Sequence, residues 1–514
     1  MKERAKHFFQ NAGVLALAAL IGRTISIYFG SYLSRTIGAE GMGLVGLIST
    51  AYGFATTFAV SGIPLGVTRL VSEAIGRGET GGARRALRHA TLYALAFSTI
   101  ATIALLLGAG WIGRVALGDG RTISSLRLLA LSLIPLSLAS VMNGYFTAVG
   151  RVGGNALTQI GELLIRIFST AILLAHIPFG DVESGVLAVT RGLVLSQFFS
   201  CFALGVLFLW DTKRHLPKLL PGERGGGGFG PLMQIALPLA FSTYVRSGLL
   251  TVEHILIPIS LTKGGASHSE SLAAYGVLQG MALPVVLYPM AILSACSPLL
   301  VPLFATHGAR HEKAEIRGLA TRALHLTSLL AMGCFTLLFV FSEEFGIVLY
   351  QNPEVGQYIR PLSCVIPLMF LDHVTDGILK GLGEQIYTMW VNILDAILSI
   401  VLVWLLLPHF GAMGYVYVIL LAEAINFSLS ILRLYRVSRV TYRPIRSLLL
   451  PALAGLVAAY LVSHLVPVDP YVSTLPWLGL RLLFAAAVYI GTLFLAKIVK
   501  RALMGWPRAL DIGS

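Results

Sequence analysis

Apolar runs of about 20 residues recur from one end of this chain to the other and constrain it more than any motif does. In lipid the backbone must satisfy its own hydrogen bonds, so a run of that length crosses a bilayer as one helix. Such runs lie near 9–33, 43–71, 89–110, 125–149, 155–178, 185–209, 231–260, 271–304, 318–341, 358–380, 386–407, 412–432, 447–466 and 476–497. They predict an all-α polytopic membrane protein with about fourteen transmembrane helices. Composition agrees: 56% of residues are hydrophobic and 12% charged, where a soluble protein carries about 25% charged residues. The first run continues past Arg23 to Leu33, too long for a signal-peptide core, and reads as an uncleaved span. Pro64, Pro135, Pro238, Pro284 and Pro367 fall inside spans and mark kinks.

The formal net charge is +14. In a soluble chain that would point to nucleic acid; in a membrane protein it is tested against the excess of Lys and Arg in cytoplasmic loops. With the N-terminus inside, the cytoplasmic segments hold 25 basic residues and the outer loops and span edges 7. That bias places both termini in the cytoplasm and leaves no need for a nucleic-acid partner. Cys201, Cys296, Cys334 and Cys364 lie in or beside apolar runs with no CxxC or Cys/His spacing, so neither a metal site nor a disulfide framework is expected.

The longest polar break, residues 210–230, contains four consecutive glycines and reads as a cytoplasmic linker. It separates an N-lobe (1–209, spans 1–6) from a C-lobe (231–432, spans 7–12); residues 433–514 carry spans 13–14 and a cytoplasmic tail. The two lobes read as a parallel repeat. At an offset of 233 residues, Gly144 meets Gly377, Gly150 meets Gly383, Gln159 meets Asn392 and Glu162 meets Asp395. Upstream, Gly43 and Pro64 meet Gly276 and Pro298 at nearly the same offset. A parallel repeat implies a pseudo-twofold axis along the membrane normal, with substrate sites near the midplane.

Gly41-x-Gly43-x-x-Gly46 has the spacing of a dinucleotide fingerprint, but no strand precedes it and no βαβ unit surrounds it. It reads as small residues for close helix packing. The informative residues are charges inside spans, each costing about 2.5–3.5 kcal/mol at a helix centre on insertion scales. Arg23 and Arg246 lie in the middle of the first and seventh spans, and a guanidinium fork suits phosphate. Each is expected to pair between helices or to line a cationic cavity that grips an anion. Glu162 and Arg166, at i,i+4, share a face and can neutralise each other. Asp395 has Ser399 where Arg166 would be. With Asn392, Asp372, Asp376, Glu423 and Glu253 it concentrates acids in the second lobe. These acids are candidates for Na⁺ or H⁺ coupling, or for protonated or ion-paired carboxyls. Arg69, Arg191 and Arg322 lie close to span ends. No hydrolase triad, Walker loop or HExxH occurs, so a transporter is expected rather than an enzyme.

The stretch GAEGMGLVGLISTAYGFATTFAVSGIPLGVTRLVSEA (38–74) and the block GYFTAVGRVGGNALTQIGELLIR (144–166) resemble the polysaccharide flippase family of the MOP exporter superfamily. The resemblance spans nearly the whole chain and is strongest in the first lobe. It implies a V-shaped, two-lobed, alternating-access transporter. The implied cargo is an undecaprenyl-pyrophosphate-linked saccharide, a peptidoglycan precursor or polysaccharide repeat unit, moved from the inner to the outer leaflet. The sporulation branch of the family implies a role in spore-cortex synthesis, with envelope or cortex synthesis enzymes as partners. The family also implies that Arg23 and Arg246 hold the pyrophosphate, with Arg166, Glu162 and Gln159 as further substrate-binding candidates. No cofactor is implied beyond coupling to Na⁺, H⁺ or the membrane potential. Two rivals remain: a multidrug/cation antiporter of the same superfamily, and a non-transporting scaffold for envelope assembly.

Overall fold

The computed structural model describes residues 2–77, 80–178, 180–215, 229–310, 312–442, 444–465 and 474–504. Most of the 210–230 linker lies outside these residues. The helices of the first part are α1 (Lys2–Val60), α2 (Ile63–Gly76), α3 (Thr80–Trp111), α4 (Thr122–Ala130), α5 (Leu133–Ala148), α6 (Val152–Leu174), α7 (Val182–His215), α8 (Phe229–Lys263) and α9 (His268–Tyr275). There follow α10 (Leu283–Val286), α11 (Met290–Ala309), α12 (Lys313–Val340), α13 (Ser342–Tyr350), α14 (Pro353–Leu362), α15 (Ile366–Gly381), α16 (Gln385–Ser438), α17 (Pro444–Leu465) and α18 (Leu475–Met504). π-Helical turns occupy Ile112–Ala116 and Gly276–Ala282, and the described residues contain no strand.

At 59 and 54 residues, α1 and α16 are too long to be single spans at 1.5 Å per residue. Each is broken by one glycine with non-helical geometry: Gly38 at φ 72, ψ 178, and Gly411 at φ 57, ψ −146. A side chain would be strained at either angle. By length and composition nine described helices can cross a bilayer, or ten if α4 and α5, bent by 44°, act as one span. Dividing α1 and α16 at their glycines, and adding α8 and the run α9–α11, is consistent with fourteen.

The repeat recurs in the backbone. α3 and α12 begin at Thr80 and Lys313, α5 and α15 at Leu133 and Ile366, α6 and α16 at Val152 and Gln385, all at the offset read from the sequence. Left-handed residues recur at that offset as well: Gly150 (φ 72) with Gly383 (φ 88), and Gly118 (φ 71) with Gln351 (φ 53). By packing, the chain forms two compact units, Met1–Met281 with Met389–Val418, and Ala282–Thr388 with Ile419–Ser514. Packing units and sequence repeats divide the chain on different grounds, and the lobe boundaries given above are retained as a proposal.

Inside the first unit, α1 and α9 meet through repeat-related glycines. A Cβ on Gly43 would lie 2.1 Å from the Leu272 carbonyl oxygen, and one on Gly276 would lie 2.0 Å from that of Ala39. Residues 39 and 272 are themselves partners at the repeat offset, so the contact is self-complementary, as across a twofold axis. Of the apparent nucleotide motif, Gly43 serves this backbone contact, while Gly41 and Gly46 make room for the side chains of Ile37 and Tyr275.

A charged network ties three connections of this unit at one end. Arg121 donates Nε and Nη2 to Asp119, the latter at 2.6 Å, and Nη2 also to Glu40 at 2.8 Å. Ser269 donates to Glu40 at 2.7 Å, and His268 Nε2 lies 3.3 Å from Asp119. Burial pushes the Asp119 carboxyl up. Hydrogen bonds from Arg121 and His268 and the Arg121 charge outweigh it and hold the group below the usual carboxylate range. A depressed folded pKa stabilises the protein above the unfolded value, about 3.9, and that stabilisation is lost as pH falls through the folded value. The melting temperature of purified protein should therefore drop below about pH 4, and Asp119→Asn should flatten that acid limb. An unchanged acid limb in the variant would refute the assignment.

Candidate functional site

The intramembrane charges separate into three groups. In the first unit, Arg246 and Glu253 are seven residues apart on α8 and so share one face. Arg246 is exposed and Glu253 is buried, at 7% exposure. Asp395, on the first half of α16, is half-buried; its Oδ1 is out of solvent reach and has no hydrogen-bond partner among the described residues. It forms no direct ion pair with Arg246 there, but both Arg246 and Glu253 act on it electrostatically. The break at Gly411 turns the second half of α16 so that Tyr415 interacts with the Glu253 carboxylate. Gln279 donates Nε2 to the Tyr415 hydroxyl at 2.8 Å. Gln279 lies in the π-helical turn Gly276–Ala282; such a turn inserts one residue and re-aims its neighbours. His254 Nδ1 lies 3.1 Å from the Tyr275 hydroxyl. Asn392 sits one turn before Asp395 on α16.

The second group lies on α6 and α7 of the same unit. Arg166 Nη2 meets Glu162 Oε1 at 3.1 Å, and Gln197 Nε2 donates to the same oxygen at 3.0 Å. Arg166 Nε reaches Ser196 Oγ at 3.5 Å. The same-helix pair expected from the spacing is formed. Gln159 is exposed one turn away, with no bond to this pair among the described residues.

The third group is in the second unit. Asn426 donates to Asp372 at 3.1 Å with both residues buried, and Lys380 pairs with Asp376 at 3.3 Å. Glu423 is on the same helix as Asn426, one turn earlier. The acids that sequence places in one lobe thus fall into two unlike settings. Asp376 has a same-helix lysine and Asp372 a buried amide, whereas Asp395 feels the charges of Arg246 and Glu253, and Glu253 interacts with Tyr415.

Arg23 is half-buried in the first half of α1 and makes no hydrogen bond or ion pair among the described residues. Arg69 pairs with Glu73 at 2.9 Å. Sequence reasoning passed over Gln279 and Tyr415, since a neutral polar residue in a span carries little insertion cost. It also passed over the buried pair of Arg481 and Glu344.

The sequence matches the family model described as polysaccharide biosynthesis protein over residues 8–308, and the MatE family model over residues 256–405. Stage V sporulation protein B of Bacillus subtilis (strain 168) is 24% identical over 412 residues, covering 79% of this chain and 79% of that protein. Lipid II flippase MurJ of Bacillus subtilis (strain 168) is 23% identical over 457 residues, covering 82% and 80%. The solved structure of lipid II flippase MurJ in its inward closed conformation aligns with a TM-score of 0.68 at 12% identity, over 96% of this chain and 100% of that one. At that identity the likeness is one of fold. Together with the apolar helices, these matches make the chain a multi-pass membrane protein of the transporter kind, not an enzyme.

Proposed function

The chain belongs to the polysaccharide biosynthesis protein family, and from that membership we propose that it is an alternating-access flippase for a lipid-linked saccharide. Its cargo in this reading is an undecaprenyl-pyrophosphate-linked unit, a peptidoglycan precursor or polysaccharide repeat, carried from the inner to the outer leaflet. The basic loops face the cytoplasm, and spore-cortex synthesis is the expected setting. The observation that carries the reading is Arg23, a guanidinium inside a span that no described side chain neutralises. Arg246, exposed on α8, is the second cationic candidate. The fork of an arginine binds two phosphate oxygens at once, while the polyprenyl tail stays in lipid. Moving negative charge outward across an inside-negative membrane releases about 2.3 kcal/mol per charge per 100 mV, so the potential favours export. Asp395 and Glu253 would couple a cation for the return step.

The MatE match over residues 256–405 and the buried acids favour a second reading, a multidrug/cation antiporter. Reconstitution into vesicles with lipid II and other lipid-linked sugars separates the two. The wild type should accelerate leaflet exchange of at least one such lipid. Arg23→Ala should slow it roughly tenfold or more, the equivalent of one lost charge-assisted hydrogen bond of about 1.5–3 kcal/mol. Unchanged exchange in Arg23→Ala and Arg246→Ala, or export of cationic dyes in place of lipid, would overturn the flippase reading.

A further inference from the structure

We propose that the outer end of the first repeat carries a saccharide site of its own, a cavity that receives one sugar unit of the cargo on the outer side of the membrane. The choice of ligand rests on the flippase reading above; the cavity does not. It measures about 270 Å³ and lies between the break of α1 and the connection from α6 to α7. Arg35, Thr36 and Gly38 line it on one side, and Leu174, Ile177 and Asp181 on the other. Both sides turn at left-handed glycines, Gly38 at φ 72 and Gly180 at φ 95, and nothing lies within 4 Å of a Cβ placed on either. The main chain at both turns is therefore open to a ligand. Arg35 and Asp181 are exposed, and Asp181 Oδ1 caps α7 by accepting from the Ser184 amide at 3.1 Å.

The lining selects the ligand. A carboxylate in the cavity disfavours a free anion, and a guanidinium disfavours a metal or ammonium ion. A neutral polyhydroxyl suits both, since the carboxylate accepts from hydroxyls and the guanidinium donates to them. Leu174 and Ile177 offer apolar surface to the carbon face of a ring. The volume falls just below the range of drug-sized pockets, about 300–1,000 Å³, and fits a single sugar unit rather than a chain of them. By the charge count this connection is on the outer side, where α6 leaves the membrane and α7 enters it. A lipid-linked sugar reaching the outer leaflet passes it with its tail still in lipid. The equivalent corner of the second repeat, between the α8–α9 connection and the break of α16, is filled. At the 233-residue offset Arg35 becomes His268 and Thr36 becomes Ser269. Both are engaged elsewhere: His268 Nε2 lies 3.3 Å from Asp119, and Ser269 donates to Glu40 at 2.7 Å. Main chain closes the rest, for a Cβ on Gly264 would lie 2.8 Å from the Pro408 oxygen. The cavity thus belongs to one repeat and is not a by-product of the shared fold.

The test is saturation-transfer NMR of free glucose, N-acetylglucosamine and, as a zwitterionic probe, free alanine, each with the full-length protein in detergent. At least one of the sugars should bind the wild type, and alanine should not. Asp181→Asn keeps the α7 cap, because asparagine caps a helix as well as aspartate does, and should weaken sugar binding roughly tenfold, the loss of a hydrogen bond to a charged group. Arg35→Gln should weaken it by a similar factor. Thr36→Trp fills the cavity, leaves both charges in place and should abolish binding. A wild type that binds neither sugar, binding unchanged in all three variants, or alanine bound in preference to the sugars overturns the site. If the wild type moves lipid-linked sugars between leaflets yet binds no free sugar, the site falls and the flippase reading stands. If it binds sugar in this cavity yet moves no lipid-linked sugar, the flippase reading falls and the site stands.

Discussion

Gly276→Ala should prevent α1 and α9 from docking as they do, and the purified variant should melt well below the wild type or fail to accumulate in the membrane. The added Cβ would lie 2.0 Å from the Ala39 oxygen and 2.6 Å from the Gly43 nitrogen. Both are backbone atoms and cannot step aside by changing rotamer, so the helices themselves must part. Overpacking costs about 1–3 kcal/mol where side chains can adjust, and a backbone clash lies at or above the top of that range. Gly43→Ala meets Leu272 in the same way and should behave alike. Gly53→Ala, in the same helix with nothing within 4 Å of the new Cβ, is the control and should be neutral or slightly stabilising. Equal melting temperatures for Gly276→Ala and Gly53→Ala would show that the close approach is not needed.

The second large effect is expected at Arg481 and Glu344. Their side chains are 4% and 8% exposed and form an ion pair between α18 and α13, with the guanidinium 5.0 Å from the Phe341 ring centroid. Around them Phe341, Val462, Leu478 and Ala485 form an apolar cluster that holds the last two helices to α12 and α13. Glu344→Ala would leave Arg481 buried without its counter-charge, at a cost of about 3–5 kcal/mol. Replacing both partners, Glu344→Leu with Arg481→Met, should restore most or all of that loss, because an apolar pair needs no desolvation. Thermal melting of the two single variants and the double variant forms the cycle. If the double variant is no more stable than Glu344→Ala, the pair contributes something other than mutual neutralisation.

How far each of these features was legible depends on whether it is local in the chain. The helix breaks at Gly38 and Gly411 concern single residues, yet they were not singled out, because a glycine inside an apolar run looks like any other small residue until its φ is known. The Glu162–Arg166 pair was legible because i,i+4 spacing on a helix dictates the contact. The pairing of Asp376 with Lys380 obeys the same rule. Gln279 and Tyr415 were not legible: the first is aimed by a π-turn and the second by the redirected half of α16, and neither carries a charge that topology leaves unexplained.

Taken alone, the sequence determined the spans, the 233-residue repeat and the short list of charges that lipid would not tolerate. All three follow from hydrophobicity and spacing along one chain, which the bilayer reads helix by helix. Only the tertiary structure decided which of those charges meet. It set Asp395 within reach of the charges of Arg246 and Glu253 in one unit and placed Asp372 and Asp376 with other partners in the second. It also closed α1 on α9 through Gly43 and Gly276. Partners on different helices are fixed by how the helices pack, and packing depends on side-chain volume and backbone breaks far apart in sequence.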